Sequence, residues 1–286
     1  MRPLCRGDGL LLGKIFTFGV ALAVVAGAIL FMMASFQTQL LFPTGAVGAP
    51  GPLPPGSTQV SFETADRNTL HGVHIVPALG PTKRRTLILG FGGNGWNGAD
   101  VAAYLHQLYP EADVVAFHYR GYWPSTGSPS AEALLADAPL VHDFAFDLVK
   151  PERTIAVGFS IGSGVAASLV SHRRLGGLIL VTPFDSLKAA ASDLYPWLPI
   201  GMFFEHELNT VAFLKTAQLP VAVLAAERDT LIIPARTEAL RRQIPNLVYD
   251  RTISGAGHND IYQRAELQNG MREALDAIGK SIKSGD

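Results

Sequence analysis

The pattern of apolar and polar positions divides the chain into three unlike stretches. Residues 15–36 carry no charge and are rich in Ala, Val, Leu and Phe. A helix of that length rises about 33 Å, enough to cross a hydrocarbon core of about 30 Å. Residues 43–57 (PTGAVGAPGPLPPGS) are crowded with proline and glycine and can be neither helix nor central strand. From residue 59 onward, short β-rich runs alternate with helical patterns. Strands are expected at 59–63, 70–76, 86–91, 113–118, 154–159, 177–181, 221–225 and 247–253. The first two are joined by Thr64-Ala65-Asp66-Arg67-Asn68, a hairpin turn, and the later ones are nearly continuous apolar runs, as in strands covered on both faces.

Helices are expected at 100–108, 130–149, 162–172, 234–243 and 260–282. An antiparallel pair followed by strand–helix alternation implies a mostly parallel eight-stranded sheet flanked by helices. About forty residues separate the strand ending at Val181 from the one starting at Val221, and this is longer than a simple crossover. The stretch holds Tyr195-Pro196-Trp197-Leu198-Pro199 and Met202-Phe203-Phe204. It reads as a helix plus a small cap, roughly residues 185–218, over the mouth of a site. The equal alternative is that these aromatics simply pack on the sheet.

Charge gives the first stretch a direction. Arg2, Arg6 and Lys14 precede the apolar run against one acid, Asp8, and nothing charged follows until Glu63. The positive-inside rule then places residues 1–14 in the cytoplasm and makes 15–36 a single-pass anchor. Residues 37–58 become a tether, and 59–286 an extracytoplasmic domain. A cleaved signal peptide is the alternative, but its small-x-small site, Ala26-Gly27-Ala28, falls in the middle of the run. Only 16% of residues are charged, the net charge is −1, and no basic block advertises a nucleic-acid partner. The single cysteine, Cys5, rules out a disulfide within the chain, and no Cys/His cluster has zinc spacing. No cofactor is implied, and the oligomeric state is not legible.

The strongest local signal is Gly158-Phe159-Ser160-Ile161-Gly162, which follows a strand-like run and opens a small-residue helix. A tight strand-to-helix turn needs glycines on both sides of an exposed serine so that the backbones can approach. A serine hydroxyl needs a base, and the base needs an orienting acid. The chain supplies these in the order serine, acid, histidine. Asp229 follows a strand in Glu227-Arg228-Asp229, with Glu227 and Asp185 as alternatives. His258 lies in the glycine loop Gly255-Ala256-Gly257-His258-Asn259-Asp260, and His118, at the end of a strand, is its rival. The remaining histidines (71, 74, 106, 142, 172 and 206) lie in the hairpin, on helical patterns or in the cap. The oxyanion formed on attack needs preorganised donors. The N–H of Ile161 is one, and the loop Gly92-Gly93-Asn94-Gly95-Trp96 offers the N–H of Asn94 as the other. That loop lacks the spacing and the lysine of a phosphate cradle.

These motifs resemble small-cap α/β-hydrolases of the Bem type, often described as serine aminopeptidase-like. The resemblance also rests on Phe36-Gln37-Thr38-Gln39-Leu40-Leu41-Phe42-Pro43, Thr64-Ala65-Asp66, Tyr119-Arg120-Gly121-Tyr122 and Ser125-Thr126-Gly127-Ser128-Pro129-Ser130. It implies an α/β-hydrolase fold, a triad of Ser160, Asp229 and His258, and oxyanion donors at Asn94 and Ile161. Relatives carry His-Gly-Asn where this chain has Gly92-Gly93-Asn94, so the imidazole that would brace the loop is missing. The expected activity is hydrolysis of an ester, thioester or amide of a small-molecule or acyl substrate, and the resemblance together with the anchor implies a domain on the periplasmic side of a bacterial inner membrane. Trp96, Tyr195, Trp197 and Phe203 would line an apolar pocket, and Glu205 or Glu207 would hold a substrate amine. A non-catalytic, membrane-tethered binding protein on the same fold is the other class.

Overall fold

The computed structural model describes residues 7–78, 80, 85–197 and 200–285, in two compact units divided after Leu41. Leu198 and Pro199 of the cap run, and residues 1–6 with Cys5, lie outside the described residues. The first unit is one helix, α1 (Gly7–Leu41), whose span Gly13–Met32 is long and apolar enough to cross a membrane. Ile15, Phe16, Phe18 and Phe31 are all largely exposed on it, as suits a helix surrounded by hydrocarbon rather than by protein. The helix runs five residues further than the sequence pattern suggests, to Leu41, because nothing in Gln37–Leu41 breaks it before Pro43.

The second unit carries an eight-stranded sheet in the order β1-β2-β4-β3-β5-β6-β7-β8. The strands are β1 (Ser57–Glu63), β2 (Thr69–Ile75), β3 (Thr86–Phe91), β4 (Asp113–Phe117), β5 (Arg153–Phe159), β6 (Gly177–Val181), β7 (Val221–Ala226) and β8 (Leu247–Ile253). The pairs β1/β2 and β2/β4 are antiparallel and every other pair is parallel. Alternate residues of the central strands point to opposite faces. Ile88, Val114, Ile155, Ile179 and Leu224 share one core with α2 (Gly98–Leu108) and α9 (Ala265–Gly285). The other face is covered by α3 (Ala131–Val149) and α4 (Ile161–Ser168). Local chemistry sets the helix starts. Asn97 accepts the N–H of Asp100 to cap α2, and Ser130 accepts that of Ala133 to cap α3. The last helical pattern is split: a short 3-10 turn at Ile261–Gln263 precedes α9, and Arg264 between them is extended.

Among the described residues between β6 and β7 lie three short helices, α5 (Leu187–Leu194), α6 (Ile200–Phe203) and α7 (Thr210–Leu214), where the sequence suggests one helix and a cap. Helix α8 (Pro234–Arg241) completes the layer between β7 and β8. The proline-rich stretch is laid on the domain rather than hanging free of it. Phe42 is 2% exposed and meets the His206 ring edge-on at 5.3 Å. The N–H of Gly51 donates to Asp100 Oδ1 at 2.8 Å, and Leu53 packs against the core.

Candidate active site

The elbow between β5 and α4 is built by what its glycines lack. A Cβ on Gly158 would sit 2.4 Å from the Gly162 carbonyl oxygen, and one on Gly162 would sit 2.2 Å from the Phe91 carbonyl oxygen. Both are closer than any real Cβ contact, so the two glycines let β5, α4 and the loop after β3 meet backbone to backbone. Ser160 between them is held at φ 51°, ψ −118°, a strained conformation for a residue with a side chain. Neighbours over-determine it. Ser160 N–H donates to the Val181 carbonyl at 2.9 Å, and the Ser160 carbonyl accepts both Ser163 N–H at 2.9 Å and Ser163 Oγ at 2.5 Å.

Two loops at the carboxyl ends of β7 and β8 bring up the acid and the imidazole. Ser160 Oγ lies 3.0 Å from His258 Nε2, and His258 Nδ1 lies 2.7 Å from Asp229 Oδ2. Asp229 Oδ1 accepts the N–H groups of Leu231 at 2.9 Å and Ile232 at 2.8 Å. Both Asp229 and His258 are buried, and Ser160 is half-exposed. The loops are stitched to one another: Arg228 N–H donates to the Ala256 carbonyl at 2.8 Å, and Glu227 accepts Gly255 N–H at 2.7 Å and Ser254 Oγ at 3.1 Å. Those donors, Gly255 first, hold the Glu227 carboxyl below its usual range. Asp260 accepts Gly257 N–H and is lowered chiefly by Arg264. Tyr262 sets its half-buried ring edge-on to His258 at 6.5 Å and shares a hydrogen bond with Thr182.

The rivals are engaged elsewhere. Glu227 holds the histidine loop, and Asp185 bonds Ser186 N–H and Arg236. His118 is 4% exposed at the end of β4, with Nδ1 unpartnered among the described residues. Burial pushes its imidazole down to about 4.

Of the two residues expected at an oxyanion site, Ile161 opens α4, where the first N–H groups have no intrahelical acceptor and the helix dipole favours negative charge. Gly93 lies against Ser160, its absent Cβ position 3.7 Å from Ser160 Cβ. Asn94 follows, half-buried. The pocket aromatics divide. Trp96 does not stand at a mouth but packs in a ring cluster with Tyr104, Phe159 and Tyr262 at 5.2–5.5 Å. Trp197 is 72% exposed, and Tyr195 and Phe203 are also exposed, on the segment between α5 and α7. Glu207 Oε2 accepts Ser186 Oγ and Lys188 N–H, while Glu205 is exposed. Three tyrosines without a signal of their own in the sequence also reach these loops: Tyr119 Oη donates to the Gly92 carbonyl, Tyr122 Oη to the Asn94 carbonyl, and Tyr262 stands against His258.

Chemically, the constellation can take a proton from a serine hydroxyl and store the resulting charge beside a carboxylate. No family model matches the chain. It is 30% identical over 263 residues to the uncharacterized protein Rv2307c of Mycobacterium tuberculosis, covering 91% of each chain. Zebrafish (Danio rerio) lysophosphatidylserine lipase ABHD12 is 29% identical over 65% of this chain and 56% of its own. Protein bem46 of Schizosaccharomyces pombe is 27% identical over 62% of both. Among solved structures, the Pyrococcus furiosus esterase Pf2001 superposes with a TM-score of 0.64 at 18% identity, over 80% of this chain and 94% of that one. A membrane phospholipase A superposes with a TM-score of 0.60 at 17% identity, over 95% and 99%. The chain thus shares a family with the mycobacterial protein, and its fold, with the sequence it shares with ABHD12 and bem46, shows that it belongs to the α/β-hydrolase superfamily.

Proposed function

We propose that the protein is a serine hydrolase that cleaves carboxylic esters or thioesters through an acyl-enzyme. The reading is carried by the line Ser160 Oγ–His258 Nε2–Asp229 Oδ2, with its spacings of 3.0 and 2.7 Å. His258 takes the hydroxyl proton as Ser160 attacks the carbonyl carbon, and Asp229 keeps the imidazole in the tautomer whose Nε2 is free to accept. The N–H groups of Ile161 and Asn94 stabilise the oxyanion. The carbon–oxygen or carbon–sulfur bond then breaks, His258 returns the proton to the leaving group, and water repeats the sequence to release the acid.

Helix α1 anchors the enzyme in a membrane, which makes esters of apolar acyl chains the favoured substrates. The lipase name of the ABHD12 relative supports the same class. An amide substrate with a free amine is the second reading: Glu207 commits Oε2 to Ser186 Oγ and Lys188 N–H, and its buried Oε1 has no hydrogen-bond partner among the described residues.

The test is labelling of the full chain in detergent by a fluorophosphonate, with Ser160→Ala beside it, followed by hydrolysis of p-nitrophenyl butyrate and of long-chain acyl esters. Labelling lost in the variant supports the activated serine. A folded wild type that does not label would mean a binding protein on this fold. For topology, Cys5 is the single cysteine and stands on the N-terminal side of α1. A membrane-impermeant maleimide should spare it in intact cells and label it in inverted vesicles; the reverse pattern would overturn the orientation.

A further inference from the structure

We infer that Tyr119 and Tyr122 are positioning residues for the oxyanion site, holding the loop Gly92-Gly93-Asn94 from its carbonyl side. The inference rests on the serine-hydrolase reading above. Tyr119 Oη donates to the Gly92 carbonyl at 2.8 Å, and Tyr122 Oη donates to the Asn94 carbonyl at 2.8 Å. Between them, Trp96 N–H donates to the Gly93 carbonyl at 3.2 Å.

Each peptide unit is planar, so fixing one carbonyl fixes the N–H on the other side of that plane. Tyr119 therefore sets the unit joining residues 92 and 93, and Tyr122 sets the unit joining 94 and 95. The unit joining 93 and 94 carries the Asn94 N–H. It is tied by Trp96 and clamped between two planes that are themselves fixed. Three consecutive planes are thus determined in a stretch whose sequence, two adjacent glycines, is the least able to determine its own shape.

The need for an outside brace follows from the packing. A side chain on Gly92 would put its Cβ 2.9 Å from Val101 Cγ2 and 3.4 Å from the Trp96 carbonyl oxygen, so position 92 has no room for a bracing imidazole. The tyrosines suit the work. Their rings meet edge-on at 5.9 Å, and Tyr122 is fully buried. Burial raises both phenols above their usual range, so each keeps the proton it donates. An oxyanion hole works by preorganisation, and a donor free to swing must be reorganised in every turnover.

The experiment compares Tyr119→Phe, Tyr122→Phe and the double variant with wild type, as full chains in detergent. Tyr109→Phe is the matched control: its buried hydroxyl also donates to a backbone carbonyl, that of Met271, at 2.9 Å, away from the loop. Active serines are titrated with fluorophosphonate, then kcat per titrated site and KM are measured on p-nitrophenyl butyrate. The Ki of an aryl trifluoromethyl ketone, which forms a tetrahedral adduct on the serine, is measured as well.

Expected is a fall in kcat per site of about tenfold for each single variant and about a hundredfold for the pair, with KM within about twofold. The ketone Ki should rise by the factor that kcat/KM falls. Tyr109→Phe should lose a similar amount in melting temperature but nothing in kcat per site. Folded variants with wild-type turnover per titrated serine would overturn the inference, as would a loss confined to the number of titratable serines or to KM. A wild type that neither labels nor hydrolyses would instead remove the serine chemistry itself, and that outcome is visible without any tyrosine variant.

Discussion

Asp229 and His258 are joined by one carboxylate oxygen, while the other is committed to backbone. Oδ2 faces Nδ1 of the imidazole at 2.7 Å, and Oδ1 takes the N–H groups of Leu231 and Ile232. An amide at position 229 has one oxygen for these two tasks. The backbone donors would claim it, leaving the NH₂ to face Nδ1 and force the imidazole proton onto Nε2, where it blocks proton transfer from Ser160. We expect Asp229→Asn to lower kcat by about 10⁴ and Ser160→Ala by about 10⁶. Glu227→Gln keeps an acceptor for Gly255 and should change kcat by less than about fivefold. Steady-state kinetics on one ester decides the acid, and the opposite ranking of the two carboxylates would move it to Glu227.

Gly162 tests the elbow by volume alone. The Cβ of Gly162→Ala would meet the Phe91 and Gly92 carbonyl oxygens at 2.2 and 2.4 Å, whereas the Cβ of Gly95→Ala meets nothing within 4 Å. The first should cost about 3 kcal/mol and displace the oxyanion loop; the second should cost less than about 0.5 kcal/mol. Urea unfolding of both, monitored by fluorescence, gives the comparison, and equal stabilities would contradict the close approach.

Where the folded domain begins is a separate question with a measurable answer. A chain starting at Phe42 retains the Phe42–His206 contact, the Gly51–Asp100 hydrogen bond and the packing of Leu53, and one starting at Gln59 loses all three. Burial of one phenylalanine contributes about 1.5–3 kcal/mol. The longer domain should therefore be more stable by about 2–4 kcal/mol. Melting curves of the two, at equal concentration, should separate by several degrees, and coincident curves would make the proline-rich segment a passive tether.

His118 makes stability depend on acid. The unfolded imidazole takes a proton near 6.5, while burial holds the folded one down to about 4. The unfolded state thus binds more protons in that window. Stability is unaffected above pH 6.5 and declines as pH falls from 6.5 toward 4, by up to about 3 kcal/mol from this group. His118→Leu should flatten that part of the melting-temperature profile. A profile as steep as wild type would assign the acid sensitivity to other groups.

Much of the architecture is legible along the chain because it is written in local periodicity. The eight strands lie within about two residues of their expected runs; the inner ones, such as β4, β6 and β7, are buried throughout and so apolar throughout, while the edge strands β1 and β8 are not. The 3-10 break before α9 is not legible. The pattern from Asp260 onward is continuous, and only the extended Arg264, with its guanidinium on Asp260, interrupts it. Trp96 misleads for a related reason: an aromatic in a glycine loop looks like a pocket wall until three other rings are found around it.

Local pattern suffices for the membrane-length helix, for the succession of strands and longer helices, and for the serine, the histidine and the candidate acids at the carboxyl edge of the sheet. Each of these follows from a run or a motif whose information lies within a few neighbouring residues. The folded structure decided which carboxylate meets the imidazole: Glu227 and Asp229 are two residues apart, and folding sets Glu227 on the Gly255 N–H and Asp229 on His258. It also decided that Gly92 must stay bare against Val101 and that two tyrosines some 27 residues downstream hold the loop it belongs to. Such relationships join residues brought together by the folding of a parallel sheet, and no local pattern encodes a distance between strands.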